Sequence, residues 1–367
     1  MCSERHTPDE QELTQMDVVV CDGDETGQEL LVEALRVLDP DLLGLPINLH
    51  HFDLSLENRR RTDNAVVHEA AAAMRDTGLG VKAATITPVG ADDVGSPNRI
   101  LREAVDGSVI VRSGRRIPGV APLAPIVNPI VVVRMAVGDA YGAAEERRGE
   151  PGSKGEEALR VERIERGVCR DVAEYSFVEA ASIGGVVYGG PKWTVSPVYE
   201  GMLKEELDAA AERHPEVLYR PMLIDAAYAG FINESVEAPV VMPTLNRDGD
   251  CLSDLVLALF GSIAGAESIL LALDDDLRPS VAMAEAPHGT APTLMGRNIA
   301  NPLAMVLACS AVVDYASRMG HGDAAPAAKA IQDAAFGAAA DGIRTNDLGG
   351  SASTSEVVDE IITRLDA

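Results

Sequence analysis

The chain has 367 residues, of which 46% are hydrophobic and 24% charged, so it can bury one large core or two modest ones. Its 31 Lys and Arg against 58 Asp and Glu give a net charge of −27, which would repel nucleic acid and anionic membrane surfaces. No apolar run reaches the roughly 18 residues that span a bilayer, residues 1–16 hold no apolar signal core, and the five cysteines include no CxxC pair. We therefore expect a cytoplasmic protein with no nucleic-acid or membrane partner, in which an anionic ligand must meet a local group of Arg or Lys.

Strand and helix patterns alternate along the chain, as is typical of an α/β protein. The chain opens with a predicted buried strand at Met16–Cys21, a turn at Asp22–Gly27 and a helix from Leu30 to Leu38. Further short β-branched runs predict strands at Ser108–Val111, Ile130–Arg134, Gly185–Tyr188, Val240–Leu245 and Ser280–Ala284. Amphipathic stretches predict helices at Val168–Ala181, Met202–Ala211 and Ser253–Gly261, and a last helix ending near Leu365. The charged, Gly-containing stretch Glu145–Glu157 predicts an exposed loop.

Two carboxylates four residues apart, Asp250 and Asp254, follow the predicted strand at Val240–Leu245. If a helix begins near Cys251, both fall on one face at its N-terminus and could hold a hard divalent cation. The structural alternative is that Asp250 caps the helix and Asp254 only favours its dipole. Asp225, after another apolar run, has the same ambiguity and could be a third ligand.

A loop rich in Gly, Pro and Thr, from Glu285 to Gly296, follows the predicted strand at Ser280–Ala284. Such a loop offers backbone N–H groups and close approach to a nucleotide. No GxGxxG follows a strand here, so an ordinary dinucleotide fingerprint is missing. By composition alone, this segment is only a loop.

Longer motifs resemble the isocitrate/3-isopropylmalate dehydrogenase family over nearly the whole chain. They are, in order, GDETGQELL, KAATITPVG, SPNRILRE, VIVRSGRR, VVVRMAVGDAYG, KWTVSPVYEGM, LIDA, NRDGDCLSDL, AEAPHGTAPTLMGRNIANPLAMVLACSAVV and TNDLGGSAST. The resemblance implies that family's α/β fold, with a large nucleotide-binding domain formed by residues 1–105 and 267–367. It also implies a smaller α/β middle domain, residues 106–266, which carries a dimer-forming segment, and hence a homodimer with shared active sites.

The resemblance also implies catalytic and metal-binding roles. Asp250 and Asp254 of one subunit, with Asp225 of the other, match the family's ligands for Mg²⁺ or Mn²⁺. Lys192 matches the lysine that helps to take the substrate's hydroxyl proton, and Tyr141 the residue that protonates the enolate carbon after carbon dioxide leaves.

Substrate contacts follow from the same resemblance. Arg102, Arg112 and Arg134 match the family's three carboxylate-binding arginines, and guanidinium forks suit planar carboxylates. Ser96 and Asn98 stand where isocitrate-type members contact the distal carboxylate. Arg115 and Arg116 lie just past Arg112 and are either solvated charges or contacts for a more highly charged group.

The expected cofactor is NAD, because Thr293, Leu294, Asn346 and Gly350 replace the Lys, Tyr and Arg that contact the 2′-phosphate in NADP-using members. Many NAD-using members carry Asp where this chain has Thr293. Two departures lie near the expected site: Glu25 and Thr26 replace the family's usual Gly and Ile, and Met135-Ala136 follows Arg134. The resemblance assigns ten residues to the cofactor: Thr87, Glu285, His288, Gly289, Thr290, Ala291, Thr293, Leu294, Asn301 and Asp347.

The expected function is therefore NAD-dependent oxidative decarboxylation of a small anionic 2-hydroxy acid, isocitrate or a close analogue. A phosphonate analogue, phosphonomethylmalate, used in natural-product biosynthesis, is the first alternative, because the departures cluster near the substrate arginines. 3-Isopropylmalate and homoisocitrate come next. A regulatory subunit without turnover is a rival of another class, although Lys192, Tyr141 and the three aspartates are all present.

Overall fold

The computed structural model describes residues 15–89, 93–233, 237–322 and 324–366; Cys2 and residues 1–14 lie outside this part of the chain. None of the helices in the described ranges is long and apolar enough to cross a membrane. The strands are β1 Met16–Asp22, β2 Ile47–Asp53, β3 Leu79–Lys82, β4 Val109–Gly114, β5 Ile130–Met135, β6 Asp139–Arg148, β7 Glu157–Arg163, β8 Val186–Gly189, β9 Tyr219–Pro221, β10 Val240–Thr244, β11 Glu267–Leu273 and β12 Pro279–Glu285. The α-helices are α1 Glu25–Leu35, α2 Pro40–Leu43, α3 Leu56–Thr62, α4 Ala65–Thr77, α5 Pro97–Ala104, α6 Arg166–Ser182, α7 Tyr199–Arg213, α8 Ile224–Asn233, α9 Asn246–Leu259, α10 Leu303–Arg318, α11 Ala324–Ala340 and α12 Thr354–Leu365.

Ten of these strands form one mixed sheet, in the order β2-β1-β3-β12-β11-β4-β5-β10-β8-β9. Pairing is parallel on both flanks and antiparallel through the middle, where β11 lies between β12 and β4 and β4 pairs with β5. Strands from the two chain ends make up one half of the sheet and strands from the middle of the chain make up the other. The predicted domain boundaries near residues 105 and 266 fall between these two groups of strands and stay a prediction.

The central strands are buried on both faces. Every residue of β5 and of β10 is buried, which accounts for their unbroken apolar and β-branched sequences. The long helix α10 is buried along most of its length and packs against the strands of the chain-end half and against α11. The predicted opening strand, the other predicted strands and the end of the last helix at Leu365 are confirmed, because burial imposes a readable hydrophobic pattern on these segments.

One local prediction is wrong and another is wrong in part. Helix α9 begins at Asn246 with Leu245 as its cap, so Asp250 lies inside the helix and does not cap it. The turn-forming composition of Asn246–Gly249 concealed the first helical turn. The exposed loop predicted at Glu145–Glu157 is confirmed for residues 149–156, which join the two strands of a hairpin, but not at its ends, because β6 continues to Arg148 and pairs with β7, which starts at Glu157. Most of the hairpin residues are exposed, so no buried face marked them as strands.

Candidate active site

The floor of the candidate site is a row of polar side chains across four neighbouring strands. In the strand registers, Lys82 of β3 pairs with Glu285 of β12, Glu285 with Ser268 of β11, and Ser268 with Arg112 of β4. Side chains at paired positions project from the same face of a sheet. Lys82 Nζ lies 3.4 Å from Glu285 Oε2, and Arg112 Nε donates to Ser268 Oγ at 3.3 Å. Strand pairing therefore brings two cations and a carboxylate together on one face of the sheet.

Helix α5 forms one wall of the site. Ser96 caps this helix, and its hydroxyl accepts a hydrogen bond from the Arg99 backbone N–H at 3.5 Å. Asn98 and Arg102 are four residues apart, which places them on the same face of the helix. Ser96, Asn98 and Arg102 all line the same cavity.

Arg134 and Asp250 form the opposite wall. Arg134 is 1% exposed, and its Nε and Nη2 donate to Asn246 Oδ1 at 3.0 and 2.8 Å, while Nη1 pairs with Asp250. Tyr141 OH donates to Asp250 Oδ2 at 2.5 Å, and the Arg134 guanidinium lies 5.2 Å from the centre of the Tyr141 ring. Asn246 thus orients Arg134, whose side chain also lines the cavity.

These groups enclose a cavity of about 400 Å³. It brings together eleven of the predicted site residues: Ser96, Asn98, Arg102, Arg112, Arg134, Tyr141, Asp250, Asp254, Glu285, His288 and Gly289. The volume suits a small organic acid together with part of a larger cofactor.

The electrostatics of the cavity favour an anion. Burial, and then the neighbouring Arg112, lower the pKa of Arg102. Burial lowers the pKa of Arg134 to about 10, with Arg112 and Arg102 adding to the effect and Asp250 opposing it. Burial alone would raise the pKa of Glu285, but Lys82, Arg102 and Arg112 outweigh it and lower that pKa. Three guanidiniums lie close together here, and burying their positive charges costs free energy. A polyanionic ligand would offset that cost.

Three buried polar atoms around the cavity have no hydrogen-bond partner among the described residues: Thr85 Oγ1, Asn98 Oδ1 and His288 Nε2. Buried polar atoms without partners are rare in folded proteins and often mark a ligand position. Burial lowers the pKa of His288, so its imidazole is neutral near pH 7 and can hydrogen-bond without adding charge.

The donor set for a divalent cation is incomplete in one chain. Asp250 and Asp254, one turn apart on α9, both line the cavity, and Arg112 Nη1 lies 3.5 Å from an oxygen of each. Carboxylate oxygens suit Mg²⁺ or Mn²⁺. Within the part of the chain that the structure describes, however, no three His, Cys, Asp or Glu side chains gather closely enough to hold a metal.

The third predicted ligand, Asp225, is away from the cavity and pairs with Lys192 Nζ. That hydrogen bond lowers the pKa of Asp225, so its carboxylate is ionised. Close by along the chain, Val195 and Val198 are 75% and 86% exposed. Lys192 and Asp225 therefore form a second cluster on a surface that a further chain could cover.

Most of the predicted cofactor residues lie beyond the cavity lining. Thr290 to Leu294 continue the loop after His288, and Ala291, with φ +45°, accepts a hydrogen bond from Thr26 Oγ1 at 2.8 Å. Further along, Asn301 Nδ2 donates to Asp347 Oδ2 at 2.9 Å, which joins two of the predicted residues. Thr87 and Thr293 are exposed. The predicted cofactor residues thus follow a path that leads away from the cavity along this loop.

The interpretation of Arg115 as a further substrate cation is wrong. Arg115 pairs with buried Glu267 and, with Val111 and Ser113, lines a different cavity. Within β4, Arg112 projects from one face and Val111 and Ser113 from the other, and Arg115, which follows the strand, lies on the side of Val111 and Ser113. Arg116 is exposed.

Sequence reasoning missed Lys82, Thr85, Asn246, Ser253 and Ser268. Ser253 accepts a hydrogen bond from Arg112 Nη1 at 2.8 Å, and Ser268 holds the same guanidinium through Nε. One signal was available: Lys82 is a charged residue at the end of an otherwise apolar strand, where its burial at 1% exposure demands a partner.

Comparison with known proteins agrees with this fold. A family model described as isocitrate/isopropylmalate dehydrogenase matches residues 17–361, so the chain belongs to that family of metal-dependent decarboxylating dehydrogenases. It is 28% identical over 355 residues to the 3-isopropylmalate dehydrogenase of Methanothermobacter thermautotrophicus, covering 96% of this chain and 100% of that protein. It is 33% identical over 313 residues to the NADP isocitrate dehydrogenase of Sphingobium yanoikuyae, covering 74% of each. The crystal structure of isocitrate dehydrogenase from Methylococcus capsulatus shares the fold, with a TM-score of 0.83 at 22% identity over 96% of this chain and 100% of that one.

Proposed function

We propose that this chain uses NAD and Mg²⁺ or Mn²⁺ to oxidise and decarboxylate isocitrate or a close analogue to a 2-oxo acid, carbon dioxide and NADH. The observation that carries this proposal is the cavity in which Arg102, Arg112 and Arg134 face Asp250 and Asp254. Three guanidiniums suit the carboxylates of a small polycarboxylic acid, and the two aspartates suit a cation that such an acid would chelate.

The wall formed by α5 favours a polar distal group on the substrate. Ser96 and Asn98 line the cavity at the start of this helix, and Asn98 Oδ1 has no partner among the described residues. A distal carboxylate could accept hydrogen bonds from the Asn98 amide N–H₂ and the Ser96 hydroxyl, whereas an isopropyl group would leave the Asn98 amide without a partner, at a cost of about 1–3 kcal/mol. Isocitrate is therefore favoured over 3-isopropylmalate, with homoisocitrate between them.

The site has groups for both halves of the reaction. Asp250 and Asp254, with Asp225 of a second copy, would hold a divalent cation, which when bound polarises the substrate oxygens. NAD supplies the hydride acceptor. Burial and the hydrogen bond to Asp250 raise the pKa of Tyr141, so its phenol stays protonated and can donate a proton to the carbon that loses carbon dioxide.

The hydroxyl proton requires a base, and we assign that role to Lys192 of a second copy. Lys192 and Asp225 lie together outside the cavity of their own chain, where exposed Val195 and Val198 mark an unpartnered apolar surface. A two-fold dimer would place this cluster of each chain at the cavity of the other, completing two equivalent sites. The proposal is therefore a homodimer with shared sites.

NAD is the proposed cofactor because no Lys or Arg stands at positions 293, 294, 346 and 350. NADP is the competing cofactor, since one guanidinium does reach the loop: Arg297 Nη1 lies 3.4 Å from the carbonyl oxygen of Thr293. The phosphonate alternative is weaker than the sequence suggested, because Arg115 does not face the cavity.

The test is NADH formation with Mn²⁺ across isocitrate, 3-isopropylmalate, homoisocitrate and phosphonomethylmalate, repeated with NADP. We expect the highest kcat/KM with isocitrate and NAD, and loss of turnover in Lys192→Met. Full activity of Lys192→Met would contradict the assigned mechanism, and a clear preference for the phosphonate would contradict the assigned substrate. Silence of the purified chain with every substrate, with turnover only beside another subunit, would favour the regulatory role.

A further inference from the structure

Arg59, on α3, is fully buried although it takes no part in the cavity. Its side chain is 0% exposed, and its guanidinium donates to main-chain carbonyls only: Nε to Leu54 O at 2.9 Å, Nη1 to Gly95 O at 3.2 Å, and Nη2 to Ile86 O. Burying a cation costs free energy, which its hydrogen bonds must offset. The three hydrogen bonds of Arg59 also hold three separate main-chain carbonyls in place.

Asp24 completes the arrangement from the other side. Its carboxylate accepts from the backbone N–H of Leu56 at 2.9 Å and of Ile86 at 2.8 Å. The N–H of Ile86 is therefore held by Asp24, and its carbonyl by Arg59. Burial lowers the pKa of Arg59, while the negative charges of Asp24 and Asp93 oppose that effect and keep the guanidinium charged.

The segment held in this way connects β3 to α5. Its described residues contain neither helix nor strand; main-chain hydrogen bonds to Cys21 and Asp24 hold Ala83 and Ala84, and side chains hold the main chain further on. Arg59 binds it near both ends. Ile86 lies directly after Thr85, which lines the cavity, and Gly95 lies directly before Ser96, the cap of α5.

We propose that Arg59 is a positioning residue for the substrate site: with Asp24, it sets the main chain at Ile86 and Gly95 and thereby places Thr85, Ser96 and Asn98 at the cavity. Only a planar, multidentate cation reaches three carbonyls in different directions, whereas a lysine ammonium would reach one or two. The inference rests on the proposed function for its kinetic readout, but its structural readout is independent of it.

The test compares Arg59→Lys with Arg60→Lys in the full-length protein. Arg60 is the next residue on α3, but its side chain is 53% exposed and pairs with the Asp93 carboxylate at 2.5 Å, so the control keeps the charge and alters an exposed ion pair to the same segment without touching its main-chain carbonyls. For Arg59→Lys we expect kcat/KM to fall roughly 10- to 100-fold, mainly through KM, since small misplacements of binding groups have effects of that size. Hydrogen exchange should rise in the peptides covering residues 83–89 and 93–98 and stay unchanged in β1 and α10. Arg60→Lys should match the wild type in both readouts.

Four outcomes decide the matter. Wild-type KM together with wild-type exchange at 83–98 in Arg59→Lys would overturn the proposal, and so would a uniform rise in exchange with unchanged KM, which indicates general stability only. If the wild type turns over none of the four acids, the proposed function fails, and local exchange alone then decides the role of Arg59. If Arg59→Lys does not fold, Asp24→Asn takes its place, because it weakens the hydrogen bond to the Ile86 N–H while Arg59 stays in position. Asp24→Asn must then show the same local rise in hydrogen exchange, or the proposal is wrong.

Discussion

Replacing Arg115 by Gln should destabilise the protein while leaving its chemistry intact. Arg115 pairs with Glu267, whose side chain is 8% exposed, in a cavity on the face of the sheet opposite the candidate site. Burial raises the pKa of Glu267 above its usual 4.5, and Arg115 is the group that opposes this rise. Without the arginine, the carboxyl group will take up a proton rather than stay buried as an unpaired charge. At pH 7, which is 2.5 pH units above 4.5, this protonation limits the cost to at most about 3.4 kcal/mol, at about 1.36 kcal/mol per unit.

The loss of stability should depend on pH in a defined direction. The folded-state pKa of Glu267 is raised, and more so in the variant, so the folded protein binds more protons than the unfolded chain above pH 4.5. The free energy of unfolding of Arg115→Gln, relative to the wild type, should therefore be nearly unchanged near pH 4.5. It should then decrease as pH rises, by up to about 1.36 kcal/mol per unit.

Urea unfolding at several pH values between 5 and 8, with NADH formation measured in parallel, checks both parts. Arg112→Gln is the matched control, because Arg112 lies on β4, just before Arg115 in the chain, and faces the candidate site. Losing a charged partner for a substrate carboxylate should cost about 2–5 kcal/mol, a fall of roughly 30-fold to several thousand-fold in kcat/KM. The reasoning fails if Arg115→Gln lowers kcat/KM as much as Arg112→Gln, or if its destabilisation does not grow with pH.

Three further predictions concern the proposed reaction. Tyr141→Phe should lower kcat by about 10²- to 10⁴-fold. The free energy of unfolding should change by no more than about 1 kcal/mol, because Tyr141 is 41% exposed. Wild-type kcat in this variant would exclude the phenol as the acid. Mixing inactive Tyr141→Phe with inactive Lys192→Met should restore about a quarter of wild-type activity. Half of the randomly formed dimers are mixed, and one of the two sites in each mixed dimer is intact. No recovery after subunit exchange would place Lys192 in the site of its own chain. Thr293→Asp should lower the KM for NAD several-fold by accepting ribose hydroxyl bonds, with Thr293→Asn as the uncharged control, and an unchanged KM would remove residue 293 from the cofactor site.

Local patterns and motif resemblance predicted much of the site, and the reason differs between its parts. The strands were predictable because burial on both faces requires the apolar, β-branched runs seen in β5 and β10. Arg102, Arg112 and Arg134 were found by motif resemblance, and the structure adds how each is held. Asn246 orients Arg134, and Ser253 with Ser268 orients Arg112.

The remaining parts depend on strand register, which a single sequence does not contain. Nothing local to Ser268 distinguishes it from other strand serines until β11 is placed between β12 and β4. The error over Arg115 has the same origin. Nearness in sequence to Arg112 suggested a shared role, but Arg115 follows the end of β4 and pairs with Glu267 on the other face of the sheet.

The hydrogen bonds of Asp250 suggest that metal and substrate binding are coupled at the site. In one chain alone, the Asp250 carboxylate is taken up by Arg134 and by Tyr141, so it has little capacity left for a cation. Burial would raise the pKa of Asp250, but Arg134, Tyr141 and Arg112 lower it overall, so the carboxylate stays charged and held in place. A substrate carboxylate that binds Arg134 would compete with Asp250 for the same guanidinium and free the aspartate to bind metal. Metal and substrate should therefore bind cooperatively, and the affinity for Mn²⁺ should be weaker without substrate than with it. Equal affinities would contradict this coupling.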